Sequence, residues 1–183
     1  EKINSVIETY PKGIAGFKRY TELIDTRPDI EDRPGATAVS HLSGDIVYED
    51  VSFGYASGKT VLSGIDLHVA AGETVAFVGP SGAGKTTICS LLPRFYEPTA
   101  GRITIDGRDV RDMTLASLRR NIGIVQQDVF LFAGTIRANI EYGKLGASEA
   151  EIVEAARRAR LDSLIAELPL GLDTVIGERG VKL

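Results

Sequence analysis

Apolar positions change period several times along the chain, and each change marks an element. Ile3, Val6, Ile7 and Tyr10, then Ile14, Phe17 and Leu23, recur every three or four residues, which predicts helix over residues 1–27, bent or divided at Pro11 and Gly13. The stretch "DTRPDIEDRPGATAVSHLSG" mixes prolines, glycines and scattered charge, a linker composition that sets a domain boundary near Gly44. From Asp45 the period becomes two: Val47, Glu49, Val51 and Phe53 alternate with Ile46, Tyr48, Asp50 and Ser52, as in a strand with unlike faces. Ile65, Leu67 and Val69 repeat that pattern, so an antiparallel sheet is expected. "ETVAFVG" and "NIGIVQQD" are instead short, nearly continuous apolar runs of the kind shown by strands buried on both faces.

Helical spacing returns after the first of these runs, where Ile88, Leu91, Leu92 and Phe95 fall on one helix face. Asp106-Gly107 between extended segments predicts a hairpin. Ser148 and Glu151 form a capping box that opens the helix "EAEIVEAARRAR". Leu161, Leu164, Ile165 and Leu168 mark a second amphipathic helix, ended by Pro169 and Gly171. Residues 135–170 therefore read as a mostly helical subdomain.

Composition narrows the possible partners. The chain has 183 residues, 43% of them hydrophobic, enough for one domain with a sizeable core and a modest appendage. A net charge of -4 leaves no basic excess for phosphodiesters, which argues against nucleic acid as a partner. Cys89 is the single cysteine, so an internal disulfide framework is excluded and a reducing compartment fits. Beside apolar Ile88, it is expected to be a packed side chain rather than a reactive thiol. His41 and His68 have no partner pattern and are given no role.

"GPSGAGKT", Gly79 to Thr86, fits the phosphate-loop pattern G-x-x-x-x-G-K-[ST] without deviation. Such a loop wraps a phosphate with inward-facing backbone amides, and Gly79, Gly82 and Gly84 remove side chains that would collide with the anion. Pro80, Ser81 and Ala83 complete the turn. The helix that follows offers unsatisfied N–H groups and the positive end of its dipole. Lys85 can reach the β and γ phosphates, and the Thr86 hydroxyl, followed by Thr87, can ligate Mg2+. By itself the loop indicates a nucleoside triphosphate and no particular reaction.

Around that loop, "VSFGYASGKTVLSGIDLHVAAGETVAFVGPSGAGKTT", "LLPRFYEPTAGRITIDG", "SLRRNIGIVQQDVFLFAGTIRANI" and "TVIGERG" resemble the nucleotide-binding domain of ATP-binding cassette (ABC) transporters over residues 45–183. Exporters with membrane helices fused ahead of the ATPase are the most similar. The resemblance implies an α/β fold of P-loop NTPase type: an incomplete ABC ATPase core with an antiparallel β subdomain, a helical subdomain and an N-terminal helix. Residues 1–44 would be the cytoplasmic end of the last membrane-domain helix plus a linker. Tyr55 matches the aromatic that stacks on adenine. Gln127 matches the Q-loop glutamine that contacts Mg2+ and the attacking water, with Gln126 as its neighbour in register. Glu178 and Arg179 match an exporter loop that touches the membrane domains, although Val175 stands where the family's pattern has an acid. ATP and Mg2+ are the implied cofactors. The implied partners are a membrane domain and a second nucleotide-binding domain in a dimer, at the cytoplasmic face of the plasma (inner) membrane.

Two of the family's parts are expected to be missing. "GVKL" would run into the signature "SGGQ", with Leu183 the first letter of "LSGGQ", and the strand carrying the catalytic Glu would come later still. The pair Glu49-Asp50 after "IVY" is not a substitute, because it precedes the phosphate loop and continues a half-buried strand. The 183 residues are thus expected to bind nucleotide weakly at best and not to turn it over, and the missing central strand is expected to leave its neighbours' apolar faces uncovered. Two rival readings are a non-transport ABC ATPase of DNA repair or chromosome organisation, disfavoured by the acidic balance, and a remnant cassette without enzymatic activity.

Overall fold

Strand β1 (Ile46–Gly54) is the axis of a four-stranded antiparallel sheet in the order β2-β1-β3-β4, with β2 at Thr60–Val69, β3 at Ala100–Ile105 and β4 at Arg108–Asp109. These coordinates are a computed structural model that describes residues 14, 16–56, 58–126 and 130–177. The chain forms two units, residues 1–123 and 124–183.

The simple alternation expected of β1 is broken by a bulge. Tyr48 is buried in one phase, while Val51 and Phe53 are buried in the other. Between them Asp50 adopts a left-handed φ of 46°, and the pairing with β3 slips between Glu49 and Ser52. One extra residue in a strand turns its later side chains to the opposite face, so the two phases share one core. Gly101 makes the close approach possible, since a Cβ there would lie 2.3 Å from the Asp50 carbonyl oxygen. The β3–β4 hairpin has the expected Asp106-Gly107 turn, with φ of 52° and 75°.

The core of this unit gathers Tyr48, Val51, Phe53, Leu62, Leu91, Ile103, Ile105, Val110, Met113 and Leu118. Helix α1, residues 16–25, precedes it and leaves Phe17, Tyr20, Leu23 and Ile24 exposed. Helix α2 (Lys85–Leu91) turns Leu91 inward with Ile88 and Leu92 beside it, and the Tyr48 hydroxyl donates to the Ile88 carbonyl at 3.0 Å. Phe95 lies beyond the end of α2, so it does not continue the helical face expected of it. Instead, the guanidinium of Arg119, in α3 (Leu115–Arg120), sits 5.3 Å from its ring centre.

The stretch of linker composition, residues 25–44, is fastened to the sheet unit from Glu31 onward. Arg94 Nη2 donates to the Glu31 carbonyl at 3.2 Å, and the Leu115 amide donates to the Asp32 carboxylate at 2.6 Å. Thr37 exchanges backbone bonds with Asp112 and Thr114 at 3.0 and 3.2 Å. The amides of Ser43, Gly44 and Asp45 converge on the Asp106 carboxylate at 2.6, 3.1 and 3.0 Å.

Two expected strands are corrected by the structure. Neither residues 73–79 nor residues 122–126 have strand pairing, and Val78 and Val125 are 94% and 97% exposed. A strand buried on both faces needs ladder partners and covering layers. Among the described residues neither run finds them.

The second unit is largely helical, with α4 (Ile136–Glu141), α5 (Glu149–Arg158) and α6 (Asp162–Glu167). Ser148 and Glu151 form the expected capping box at α5. Arg137 of α4 ties the group together by pairing with Glu149 and with Asp173, the latter at 2.8 Å. A two-residue ladder joins β5 (Gly134–Thr135) to β6 (Val175–Ile176), and Ile136, Ile152, Ala156 and Ile176 are buried. No helix among the described residues is long and apolar enough to cross a membrane.

Candidate functional site

The phosphate-loop residues Gly79 to Thr86 lead into α2, whose N-cap Gly84 has a left-handed φ of 84°. Gly82, at φ 80°, has open space around it, so its backbone conformation rather than crowding calls for glycine. Gly84 needs glycine on both counts, because a Cβ there would meet Leu62 Cδ2 at 2.6 Å. The Ala83 amide closes the turn onto the Pro80 carbonyl at 3.3 Å. The amides of Ser81, Gly82 and Gly84 have no backbone partner among the described residues.

Lys85 folds back over this loop. Its Nζ donates to the carbonyls of Gly79 and Pro80 at 2.8 and 2.7 Å, and no carboxylate pairs with it among the described residues. A lysine held by two neutral carbonyls keeps its full charge available for an anion, which would offer stronger, charge-assisted bonds. Loop, ammonium and helix end thus fit a polyphosphate. The Thr86 side chain is exposed and accepts or donates no bond among the described residues.

Thr87 is buried at the same helix end, and its hydroxyl lies 3.1 Å from the Tyr55 hydroxyl. This bond joins the phosphate-loop helix to an aromatic cluster. The Tyr55 ring makes edge-on contacts with Phe53 and Tyr96, at centroid distances of 4.9 and 5.1 Å, yet stays 39% exposed. A cavity of about 570 Å³ opens here, lined by Phe53, Tyr55, Phe95 and Tyr96 together with Asp29, Ile30 and Glu97. It is large enough for a nucleobase and has aromatic walls to stack one.

The structure therefore brings Tyr55 and the loop residues 79–87 together in one unit. Gln127, Glu178 and Arg179 lie outside the described residues. No group of three or more His, Cys, Asp or Glu side chains able to hold a metal is found among the described residues. The exposed Thr86 hydroxyl fits an ion such as Mg2+, which commonly takes most of its ligands from water and substrate phosphates. Cys89, expected to be packed, is exposed, because the inward face of α2 is already taken by Thr87, Ile88 and Leu91. His68 pairs with Asp45 at 2.8 Å on the surface.

Periodicity gave no sign of Tyr96, Asp29 or Ile30 as cavity walls. A usable signal was the run "RFYEP" after the helix, where two adjacent aromatics stand between opposite charges at a helix exit.

Comparison with known proteins places this geometry in a family. A family profile described as "ABC transporter" matches residues 62–182. The chain is 63% identical over its whole length to an uncharacterized ABC transporter ATP-binding protein, YwjA, of Bacillus subtilis, and covers 32% of that protein. It is 51% identical over its whole length to an ATP-dependent lipid A-core flippase of Syntrophus aciditrophicus, covering 30% of it. A solved structure of a bacterial Atm1-family ABC exporter with ATP bound superposes with a TM-score of 0.83 at 47% identity, over 97% of this chain and 31% of that one. The chain thus spans about a third of the length of the relatives it matches. With a complete phosphate loop, an aromatic cavity tied to it and these relatives, the chain belongs to the ABC transporter family and has the ABC ATPase P-loop fold.

Proposed function

We propose that residues 45–183 bind MgATP as part of the nucleotide-binding domain of an ABC exporter, and that the whole protein couples ATP hydrolysis to movement of a substrate across a membrane. The observation that carries this reading is the joining of phosphate loop to aromatic cavity through Tyr55 and Thr87, 3.1 Å apart. In this reading Lys85 leaves the Gly79 and Pro80 carbonyls and moves its ammonium onto the phosphate oxygens. The free loop amides and the N-terminus of α2 share the remaining negative charge. The Thr86 hydroxyl would hold Mg2+, which would supply positive charge against the phosphates. Tyr55 stacks the base, and its bond to Thr87 fixes the ring's distance from the phosphate site. Gln127 senses the water and the metal.

The exposed apolar face of α1, carrying Phe17, Leu23 and Ile24, supports residues 1–27 as the end of a membrane-domain helix. The relatives are named as exporters and flippases, which supports a location at the cytoplasmic face of the inner membrane and a working pair of cassettes. Residues 1–183 contain no "LSGGQ" and no catalytic Glu at the end of an apolar strand, so these residues alone are expected to bind nucleotide weakly without turnover. The test is steady-state ATPase activity. The whole protein should hydrolyse ATP and lose that activity with Lys85→Ala, whereas residues 1–183 alone should show none. Steady turnover by the 183 residues that Lys85→Ala abolishes would refute the second claim.

A further inference from the structure

Arg94 is an unusual residue for its position. Its side chain is 1% exposed, and its backbone is left-handed at φ 54°, a conformation that costs a non-glycine residue. Only Nη2 is paired: it reaches the Glu31 carbonyl at 3.2 Å and the Glu97 carboxylate. Nε and Nη1 have no partner among the described residues. A buried guanidinium with unmade bonds opposes folding unless its location does something a hydrophobic side chain could not.

Of the two groups Arg94 holds, Glu97 lines the cavity beside Tyr55, and Glu31 directly follows two residues that line it. Asp29 and Ile30, just before Glu31, form one wall, and Phe95, Tyr96 and Glu97, just after Arg94, form another. Arg119 fixes the base of the same turn by donating to the Pro93 and Arg94 carbonyls at 3.0 and 2.7 Å. Arg94 is therefore a clamp between the segment that descends from α1 and the aromatic loop that follows α2.

Resting on the reading that this cavity takes the nucleotide base, we infer that Arg94 is a positioning residue that docks residues 29–31 as a wall of the base cavity. Base binding and docking of the α1-proximal segment are then thermodynamically linked. A base held between Tyr55 and this wall favours the docked segment, and undocking weakens base binding by the same factor. Nucleotide occupancy is felt at the end of α1 through this wall, independently of the phosphates.

The experiment compares ATP with inorganic tripolyphosphate, which lacks a base, on the full chain. Arg94→Met should weaken ATP about tenfold, the scale of one lost stacking or walling contact, and leave tripolyphosphate binding unchanged. Arg94→Lys, which can still bridge Glu31 and Glu97, should recover most of that loss. ATP should slow hydrogen exchange at the amides of residues 30–37 in the wild type and much less in Arg94→Met. Ile30→Trp, which fills the cavity from the partly exposed wall without touching the buried clamp, should weaken ATP selectively and keeps the test valid if Arg94→Met does not fold. Equal losses for ATP and tripolyphosphate, no loss for either variant, or exchange indifferent to ATP would overturn the clamp. Wild-type protein that binds tripolyphosphate as tightly as ATP would overturn the base cavity itself. A base-dependent wild type with indifferent variants would overturn only the role of Arg94.

Discussion

The hydroxyls of Tyr55 and Thr87 lie 3.1 Å apart, so the residue at the mouth of an aromatic cavity is hydrogen-bonded to the first turn of the phosphate-loop helix. The two functions of Tyr55, offering a stacking ring and holding that ring at a fixed place, can be separated. Tyr55→Phe keeps the ring and removes the tether, and should weaken ATP only about two- to fivefold, the scale of one neutral hydrogen bond. Tyr55→Ala removes both and should weaken it roughly tenfold or more. Titration calorimetry of the two variants gives the ratio, and equal losses would show that the ring's face is not used.

Gly84→Ala should be destabilised and unable to bind nucleotide. The substitution places a methyl group 2.6 Å from Leu62 Cδ2 and forces a side chain into φ 84°. Strain of this kind costs about 1–3 kcal/mol. Gly82→Ala has the same backbone penalty but open space, so it should unfold at a higher urea concentration than Gly84→Ala.

The bulge in β1 depends on Gly101. A Cβ there would lie 2.3 Å from the Asp50 carbonyl oxygen and 2.4 Å from that of Glu49, both backbone atoms that cannot swing aside. Gly101→Ala should therefore cost roughly 2–4 kcal/mol in chemical denaturation, more than Gly107→Ala, whose surroundings are open.

Asp106 links stability to pH. Bonds from the Asp45 amide first, and also from those of Ser43 and Gly44, hold its carboxyl below the usual carboxylate range. A depressed folded value means that its contribution is complete above the unfolded pKa of about 3.9 and disappears as pH falls through the lower folded value. Asp106→Asn should thus lower the urea midpoint at pH 7. At pH 3 and below, the difference from wild type should shrink as Asp106 itself becomes protonated. A difference independent of pH would contradict the carboxylate's role.

Local chemistry was legible in the sequence where it rests on neighbours along the chain. The Asp106-Gly107 hairpin, the Ser148–Glu151 capping box and the loop ahead of Lys85 are all decided within a few residues. Packing across the fold was not legible. The change of phase between Tyr48 and Val51 comes from a bulge that depends on Gly101, some fifty residues away. Cavity walls at Asp29 and Tyr96 come from opposite ends of the first unit and share no motif. The runs around Val78 and Val125 carry the pattern of buried strands, but pattern states only what a strand requires. Pairing needs neighbours, and the described residues supply none. Composition at residues 25–44, with its prolines and glycines, reads as a linker and carries no sign of the hydrogen bonds that fasten Glu31 to Gly44 to the sheet unit.

The most direct measurement is an equilibrium titration of MgATP into the wild-type chain and into Lys85→Ala. The Lys85 ammonium is hydrogen-bonded only to loop carbonyls among the described residues, so the variant should keep its folded circular dichroism spectrum and melting point. Its affinity should fall roughly 10- to 100-fold, the scale of lost charge-assisted bonds to phosphate. A folded Lys85→Ala that binds MgATP as well as the wild type would contradict the assignment of residues 79–87 as the phosphate site.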